Sequence, residues 1–400
     1  MSRWRKKLPF RELTIPVKML HGHINNAGRK LTPFRELEIE HGSLQLVDGI
    51  PLVHVRGTPR EMGRAMGTLV GVQAAETFFL YMRYFCPDFA GDLKLARQME
   101  ARMPAWFIQE MQGFAETSEL TYDEILMGQT FLDIHKVALC STIAAHDSAT
   151  QTGEILMGRN LDFPSLDIAD QANIVVVHQG SEFEGHTPRP FASVTWPGFL
   201  GCLTALNTDG LALSMMLVYG HWRKEHLQGL PFPLVFRSVM QNCGNVAQAA
   251  QWLATKPYCT ATNLILADSG RHAARFQLHP DHPVVEHTSA DAPATACTNH
   301  YVAAGIRKFA FTWFSSFFRL RRLQKRMRGA KFDVQAIKDA LQATGIPLIN
   351  IQRTVFRPER LELEVAFDDL GSGPGRYVRL PLQLLFPHLQ AAEALAAQAT

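Results

Sequence analysis

The sequence lacks the features that mark several common classes of protein. Its six cysteines are spread along the chain without a Cys-x-x-Cys pair, which argues against a disulfide framework and fits a reducing compartment. The net charge of +3 is too small to suggest a nucleic-acid partner. No stretch approaches the roughly 18 apolar residues of a membrane span. No apolar run of signal-peptide length follows the basic residues 1–7, so we expect a soluble, cytoplasmic protein without a transmembrane segment.

A metal or cofactor site is also not indicated. The histidines His279, His282 and His287 do not have the spacing of a known metal-binding motif. We therefore expect no metal site. What the chain does contain is enough apolar sequence for a large core, because 46% of its 400 residues are hydrophobic. This length suits either two average domains or one large unit of mixed α and β structure.

The most informative stretch is a predicted β-hairpin near the middle of the chain. Residues 140–145 are small, β-branched and apolar, residues 154–160 are of the same type, and a polar, turn-rich stretch joins them. Pairing of the two strands would bring Arg159 and Asp162 back towards Cys140. A guanidinium beside a thiol stabilises the thiolate, which is the form that a nucleophilic cysteine needs.

Each half of this pattern has a plainer explanation when it is taken alone. A single intracellular cysteine is more often a small buried apolar residue, and an Arg-x-x-Asp is more often a surface ion pair. The combination of Cys140, Arg159 and Asp162 on one hairpin is more specific than either half. It favours a nucleophilic cysteine.

The two halves of the hairpin, Cys-Ser-Thr-Ile-Ala-Ala at 140–145 and Gly-Arg-Asn-Leu-Asp-Phe at 158–163, resemble a known superfamily. They are similar to the N-terminal-nucleophile (Ntn) hydrolases that include choloylglycine hydrolase, acid ceramidase and isopenicillin-N acyltransferase, and most similar to the acyltransferase branch. The resemblance implies an α+β, four-layer αββα fold, with two antiparallel sheets stacked between helices. It also implies self-cleavage immediately before the cysteine, whose freed α-amine then acts as the general base, and no cofactor.

Three segments follow from this reading of the chain. Residues 1–41 form an N-terminal arm, residues 42–139 a mainly helical segment, and residues 140–400 the part that carries the nucleophile. The resemblance implies cleavage between Leu139 and Cys140, with residues 42–139 retained as a small subunit. We expect the segments to form one compact catalytic unit.

The helical segment contains two specific local signals. Thr58, Pro59 and Glu61 form a strong helix start with a capping box. Gly63, Gly67 and Gly71 then fall four residues apart on one helix face. Because glycine costs helix propensity of about 1 kcal/mol per residue, this face is predicted to pack very closely against a neighbouring element.

Strands dominate the chain after the central hairpin. Alternation of apolar and polar residues and turn signals predict most of them. The predicted strands span residues 172–178, 191–196, 202–206, 211–217, 262–267, 350–357, 361–367 and 377–385, and a helical stretch in two pieces spans 233–256.

The resemblance also assigns candidate site residues. An asparagine matching Asn263 would donate its side-chain amide to the oxyanion, a contribution of several kcal/mol when donors are preorganised. One departure from the family pattern is Met-Met-Leu at 215–217, where an asparagine often helps to form the oxyanion hole. The predicted catalytic set is Cys140, Arg159, Asp162 and Asn263. The residues predicted to line the site are Ser141, Asn160, Trp196, Leu217, Asn299 and His300.

A basic stretch at residues 317–331 stands apart from these motifs. Seven cations surround Phe318, Leu320, Leu323 and Met327. The favoured interpretation is a surface helix whose apolar stripe faces the core, and the alternative is a helix that binds phosphates or an anionic membrane.

The predicted function is that of a self-processing cysteine amidohydrolase or acyltransferase acting through a thioester at Cys140. Its partner would be a small amide or acyl donor with an apolar acyl group, because apolar residues are dense between 196 and 217. The rivals are a cysteine hydrolase that works uncleaved, a membrane-associated lipid amidase, and a catalytically silent binding or scaffold protein on the same fold. A homo-oligomer is compatible with each of them.

Overall fold

The computed structural model describes residues 15–220, 227, 229–256, 258–311, 314–329, 331–368 and 373–389. The basic residues 1–7 and the start of the predicted arm therefore lie outside the described residues. The strands are β1 Leu37–Ile39, β2 Gly42–Val47, β3 Ile50–Gly57, β4 Leu139–Ala145, β5 Leu156–Asp162, β6 Ile174–Gly180, β7 Phe191–Thr195, β8 Thr204–Asn207, β9 Ala212–Leu217, β10 Tyr219–Gly220, β11 Thr262–Ala267, β12 Ala273–Leu278, β13 Val284–His287, β14 Ala294–Cys297, β15 Ala310–Phe311, β16 Asn350–Arg357, β17 Glu362–Phe367 and β18 Val378–Leu380.

The helices lie mostly before β4 and between the later strands. They are α1 Ile15–Asn26, α2 Pro59–Thr77, α3 Phe89–Glu100, α4 Ala105–Thr117, α5 Tyr122–Ile134, α6 Phe232–Asn242, α7 Val246–Ala254, α8 Phe314–Met327, α9 Val334–Thr344 and α10 Leu382–Leu385. Helix α2 is continued by a π-helical turn at Phe78–Met82 and a short helical turn at Arg83–Phe85. None of the described helices is both long and apolar enough to cross a membrane.

Two large sheets form the centre of the molecule. The ten-stranded sheet has the order β1-β2-β3-β6-β7-β8-β9-β11-β12-β13, and the six-stranded sheet has the order β14-β4-β5-β16-β17-β18. The pairing is antiparallel throughout both sheets, except that β3 and β6 are parallel. That exception to the predicted antiparallel sheets arises because β3 reaches β6 through a long crossover, which contains the helical segment and the central hairpin.

The sheets face each other and helices cover their outer faces. Between the sheets, the hydroxyl of Thr142 on β4 lies 2.6 Å from the hydroxyl of Ser214 on β9. Gly158 on the outer face of the six-stranded sheet lies directly under Ile337 and Leu341 of α9, while Gly42 of the ten-stranded sheet lies under α2. The predicted αββα layering and α+β class are therefore confirmed.

The predicted helix start and glycine face are both confirmed. Thr58 caps α2 through a capping box with Glu61. The glycines of α2 contact the backbone of α4, since a methyl group built on Gly63 would lie 2.0 Å from the carbonyl oxygen of Glu110. Only glycine allows the two helices to approach so closely.

Two sequence predictions differ from the structure. The last strand was predicted at 377–385, but strand β18 is short and α10 follows it, because Pro381 begins a helical turn as its N-cap. The predicted N-terminal arm also contributes a strand, because β1 pairs with β2 at the edge of the ten-stranded sheet.

Candidate active site

The central hairpin places Cys140 between the two sheets. Strands β4 and β5 are antiparallel, with Cys140 opposite Leu161 and Thr142 opposite Arg159. The side chain of Cys140 is fully buried, and its Sγ accepts a hydrogen bond of 3.3 Å from Nη2 of Arg159. The predicted approach of Arg159 to Cys140 is therefore confirmed.

Arg159 is held rigidly by the facing sheet. Its Nε and Nη2 donate to the carbonyl oxygen of Met215 at 3.4 and 3.3 Å, and its Nη1 donates to the hydroxyl of Thr204. Because this guanidinium is buried and bonded on both sides, its position beside Cys140 is fixed before any substrate binds.

Burial favours the neutral thiol of Cys140 over the thiolate. Burial raises its pKa above the ordinary value, and the nearby charge of Asp162 acts in the same direction, whereas Arg159 and Arg319 lower the pKa. Burial outweighs both guanidinium groups. Arg159 lowers the pKa of Cys140, as expected from the sequence, but desolvation of the fully buried thiol raises the pKa by more.

Asp162 closes the hairpin and lies opposite Leu139, the residue before the predicted cleavage site. Its Oδ1 accepts hydrogen bonds of 2.8 Å from the backbone N–H of Ile346 and from Nδ2 of Asn350. Its Oδ2 lies 3.6 Å from Nη1 of Arg319. Burial raises the pKa of this carboxyl group, and the charge of Arg319 opposes that shift.

Arg319 is the residue that sequence reasoning missed. Its Nη1 donates to the carbonyl oxygen of Cys140 and its Nη2 to Oδ1 of Asn299, at 2.7 Å for the latter. It comes from α8, the helix predicted as an ordinary surface element. The buried positions of α8 are Ser316, Arg319, Leu320 and Leu323, so a cation within the inward-facing stripe was the available signal.

Asn299 holds the peptide group that would be cut. Its Oδ1 accepts a 2.8 Å hydrogen bond from the backbone N–H of Cys140. Its Nδ2 donates to the carbonyl oxygen of Leu217, also at 2.8 Å. Asn299 thus contacts Cys140 and the backbone of Leu217, and the role of both residues in lining the site stays a prediction.

Asn263 supports this arrangement indirectly, through the segment that carries Asn299. Its Nδ2 donates to the carbonyl oxygens of Thr298 and His300, both at 2.9 Å. Both amide hydrogens therefore hold the segment that carries Asn299. The role of Asn263 as an oxyanion donor stays a prediction.

Two predicted lining residues, Ser141 and Asn160, point away from Cys140. Ser141 and Asn160 are bonded to each other at 3.0 Å on the face of the sheet that packs against α9, because successive side chains of a strand alternate between faces. His300 has its Nδ1 2.7 Å from the hydroxyl of Ser316 on α8. Burial lowers the pKa of His300 to about 4, so this imidazole is neutral at physiological pH.

An apolar cavity lies beside Phe163, the residue that follows Asp162. Trp196 lines it, with its indole N–H donating to the carbonyl oxygen of Ala169 at 3.1 Å. Much of the remaining wall comes from the helical segment before Cys140. Among its lining residues are Phe78, Tyr81, Met82, Ile125, Phe131 and Leu132.

Curated relatives match about half of this chain. One is an uncharacterized protein of Archaeoglobus fulgidus, 27% identical over 237 residues, which is 51% of this chain and 39% of that protein. Another is protein dcd1A of Dictyostelium discoideum, 27% identical over 221 residues, which is 48% of this chain and 50% of that protein. The chain thus spans half or less of the length of these relatives.

Among solved structures, similar chains include a Caenorhabditis elegans ortholog of N-acylethanolamine-hydrolyzing acid amidase, with 17% identity and a TM-score of 0.41 over 55% of this chain and 93% of that one. A conjugated bile acid hydrolase from Clostridium perfringens has 10% identity and a TM-score of 0.43 over 61% and 92% of the two chains. Penicillin V acylase from Agrobacterium tumefaciens has 14% identity and a TM-score of 0.41, also over 61% and 92%.

The sequence model of one family also matches this chain. The model of acyl-coenzyme A:6-aminopenicillanic acid acyl-transferase matches residues 148–350, just over half of the chain. The matched region begins after Cys140 and includes Arg159, Asp162, Asn299 and Arg319. As the residues of the central hairpin implied, the chain belongs to the acyl-coenzyme A:6-aminopenicillanic acid acyl-transferase family.

Proposed function

We propose that this protein is a self-processing cysteine amidohydrolase or acyltransferase whose nucleophile is Cys140. Family membership supports amide hydrolysis or acyl transfer in general. The observation that carries the specific proposal is that separate buried groups bind three atoms of Cys140: Arg159 the thiol, Asn299 the backbone N–H and Arg319 the carbonyl oxygen. A cysteine kept only for packing has no need of such a set of charged and polar partners.

Processing would begin with attack of the Cys140 thiol on the carbonyl carbon of Leu139. A carbon–sulfur bond forms, the bond from that carbon to the Cys140 nitrogen breaks, and the nitrogen receives the thiol proton and becomes an amine. Water then hydrolyses the thioester, which leaves a carboxylate on Leu139 and a free α-amine on Cys140. Asn299 and Arg319 would hold the Cys140 peptide in place while the bond to Leu139 is attacked.

Catalysis would then use the new amine as the general base. The amine takes the thiol proton, Sγ attacks the carbonyl carbon of an acyl substrate, and water or an acceptor amine releases the acyl group from the thioester. Among the described residues, Oδ2 of Asp162 has no hydrogen-bond donor. This oxygen, with Oδ1 of Asn299, would accept hydrogen bonds from the charged amine.

The apolar cavity suits the acyl group of the substrate. Trp196 and Phe163 line it next to the end of strand β5. Burial of an acyl chain there would contribute about 0.8 kcal/mol per methylene group. We therefore expect kcat/KM to rise with chain length for a series of acyl-p-nitroanilides and then to fall when the cavity is full.

Intact mass spectrometry of the purified protein tests the proposal directly. The wild-type chain should give fragments of 139 and 261 residues, and Cys140→Ala should give only the uncut chain. Cys297→Ala is the matched control, because Cys297 is equally buried on the neighbouring strand β14, where it lies opposite Thr142. An active wild-type chain that stays uncut would reject self-processing and support the uncleaved cysteine hydrolase.

A thiol-blocking experiment separates the enzyme from a silent binding protein. Iodoacetamide should abolish turnover, and an acyl adduct should be detected on the peptide that contains Cys140. Activity that survives full alkylation would remove Cys140 from the chemistry. If no substrate in a series from short to long acyl chains gives turnover or an adduct, the binding protein is the better description.

One observation favours a second candidate function, hydrolysis of a lipid amide at an anionic membrane surface. Helix α8 exposes Phe314, Phe317 and Phe318, with 82%, 45% and 51% of their surface accessible. No acidic residue occurs between 314 and 332, while Arg321, Arg322, Lys325 and Arg326 are exposed on the same helix. Exposed aromatic rings beside clustered cations complement anionic lipid headgroups.

Vesicle sedimentation would test this second function. The protein should bind vesicles that contain phosphatidylserine at least tenfold more tightly than vesicles of phosphatidylcholine alone. Phe317→Ser with Phe318→Ser should weaken that binding without changing self-cleavage. Equal binding to both vesicle types, or binding that the double variant retains, would reject the membrane surface.

A further inference from the structure

A cluster of potential metal ligands lies outside the site around Cys140. Within the described part of the chain, Cys86, Asp92 and His135 form a group in which one ligand atom from each residue lies within 4.8 Å of the other two. Nε2 of His135 is 2.7 Å from Oδ2 of Asp92. Sequence spacing did not reveal this group, because its members come from three separate elements.

Each of the three side chains is placed by the end of a helix. Cys86 follows the helical turn Arg83–Phe85 and its N–H donates to the carbonyl oxygen of Met82. Asp92 lies in the first turn of α3, and His135 is the C-cap residue of α5. The backbone therefore fixes the Cβ atom of each of the three residues, and a preorganised ligand set requires this.

Burial and charge both suit a divalent ion at this position. Cys86 is 6% exposed and Asp92 4% exposed, and the His135 side chain is 9% exposed. A thiolate and a carboxylate together carry two negative charges, so a divalent cation would make the buried set neutral. A neutral set avoids the cost of leaving a charge unpaired in the interior.

We propose that Cys86, Asp92 and His135 bind one Zn²⁺ ion. Thiolate, imidazole and carboxylate are the zinc ligands of proteins, and three protein ligands with a water molecule complete a tetrahedral site. Ligand distances of about 2.0 to 2.3 Å place the ligand atoms of such a site roughly 3.3 to 3.8 Å apart. Zinc binding would require Asp92 and His135 to move apart from their present 2.7 Å, because the ion would replace their hydrogen bond.

The proposed ion would fasten the helical segment to the chain that leads to the nucleophile. His135 is followed by residues 136–139 and then by Cys140. An ion on His135 would therefore fix the start of this connector against α3 and the turn that ends at Cys86. The proposed ion lies outside the site around Cys140, because none of its ligands contacts Cys140 among the described hydrogen bonds.

Metal titration of the full chain tests the proposal. After removal of metal with dipicolinate, isothermal titration with ZnCl₂ should give one ion per chain. Co²⁺ should give the visible absorption of a tetrahedral site and a near-ultraviolet band from thiolate bound to the metal. Zn²⁺ should also raise the melting temperature of the stripped protein. Because binding removes the thiol proton of Cys86, the affinity should rise with pH.

Variants show whether the metal binds at Cys86 or at another cysteine. Cys86→Ser should remove the thiolate band and the thermal shift, Asp92→Asn should weaken Zn²⁺ binding at least tenfold, and Cys140→Ala should keep both signals. Circular dichroism of each variant checks that it is folded. Zinc binding below one ion per chain, or a cobalt spectrum that survives Cys86→Ser, would overturn the proposal.

Discussion

Arg159, Arg319 and Asn299 each bind a different polar atom of Cys140. Arg159 donates to the thiol and Arg319 to the carbonyl oxygen, while Asn299 accepts from the backbone N–H. The two arginines also come from different layers of the fold, one from strand β5 and the other from helix α8. The site therefore depends on the correct packing of α8 as much as on the hairpin.

Replacement of Arg319 tests this dependence. Arg319→Lys keeps the charge but loses the planar pair of donors to Cys140 and Asn299, so we expect processing and turnover to fall about 100-fold. Arg322→Lys is the matched control on the same helix, since Arg322 is exposed and, among the residues that the structure describes, bonds only the carbonyl oxygen of Ala343. The rates of fragment formation and of amide cleavage measure the effect. Equal rates for the two variants would assign Arg319 to the fold alone.

Replacement of Asp162 is a second test of the site. Asp162→Asn keeps the shape and an acceptor for Ile346 but removes the charge that faces Arg319, so processing should fall at least tenfold. Asp368→Asn is the control, because it also removes a carboxylate from a mostly buried arginine pair, with Arg353. Thermal melts should show similar losses of stability for the two variants. Loss of processing in proportion to melting temperature in both would favour a purely structural Asp162.

The raised pKa of Cys140 predicts how processing responds to pH. Burial favours the neutral thiol in the folded, uncut chain, so the thiolate fraction increases with pH up to a pKa above the ordinary value. Below that pKa, the fraction increases about tenfold per pH unit. Freshly synthesised precursor, sampled over time on denaturing gels between pH 6 and 9, should be cut faster at each higher pH. A rate independent of pH would mean that a group inside the site removes the proton.

At the scale of whole elements, local sequence signals predicted most of the architecture. The hairpin of β4 and β5, the capping box of α2 and the alternation in β16 and β17 all depend on neighbouring residues, and each was found from sequence. The alternation of side chains along β4 could also have been used for prediction. If Cys140 faces the second sheet, Ser141 must face the helices. That step would have removed Ser141 and Asn160 from the predicted lining.

The missing parts depend on contacts between distant residues. Arg319 reaches Cys140 across 179 positions in sequence, and Asn350 reaches Asp162 across 188. The buried stripe of α8 could have shown that Arg319 faces inward. No sequence pattern gives the partner in either contact, because each contact arises only when an outer helix or a neighbouring strand packs on the hairpin. The ligand group of Cys86, Asp92 and His135 was missed for the same reason.

The close approach of α2 and α4 predicts how a substitution between these helices changes the stability of the protein. A methyl group at position 63 would lie 2.0 Å from the Glu110 carbonyl oxygen and 2.8 Å from the Phe114 nitrogen, both backbone atoms. Gly63→Ala should therefore destabilise the protein by about 3 kcal/mol or more. Gly128→Ala in α5 meets nothing within 4 Å and should stabilise it by about 0.5 to 1 kcal/mol. Urea unfolding measures the change in the free energy of unfolding for each variant. A change of the same sign for both variants would contradict the packing argument.

At the scale of the molecule, the helical segment and the nucleophile-bearing part share one sheet. Strands β1, β2 and β3 precede Cys140, and β3 pairs with β6, which follows it. The main apolar core likewise combines residues from both sides of the predicted cleavage site, such as Phe85 and Phe131 with Phe163 and Trp196. The peptide bond between Leu139 and Cys140 is one covalent link within a continuous core.

Cleavage should therefore leave the molecule assembled. We expect the fragments of 139 and 261 residues to elute together on native size-exclusion chromatography, at the same volume as uncut Cys140→Ala. They should separate only in denaturant, because separation would break the pairing of β3 with β6 and expose the shared core to water. Circular dichroism before and after cleavage should be nearly unchanged. Dissociation of the fragments in native buffer would mean that the covalent connection, and not the shared sheet, holds the helical segment in place.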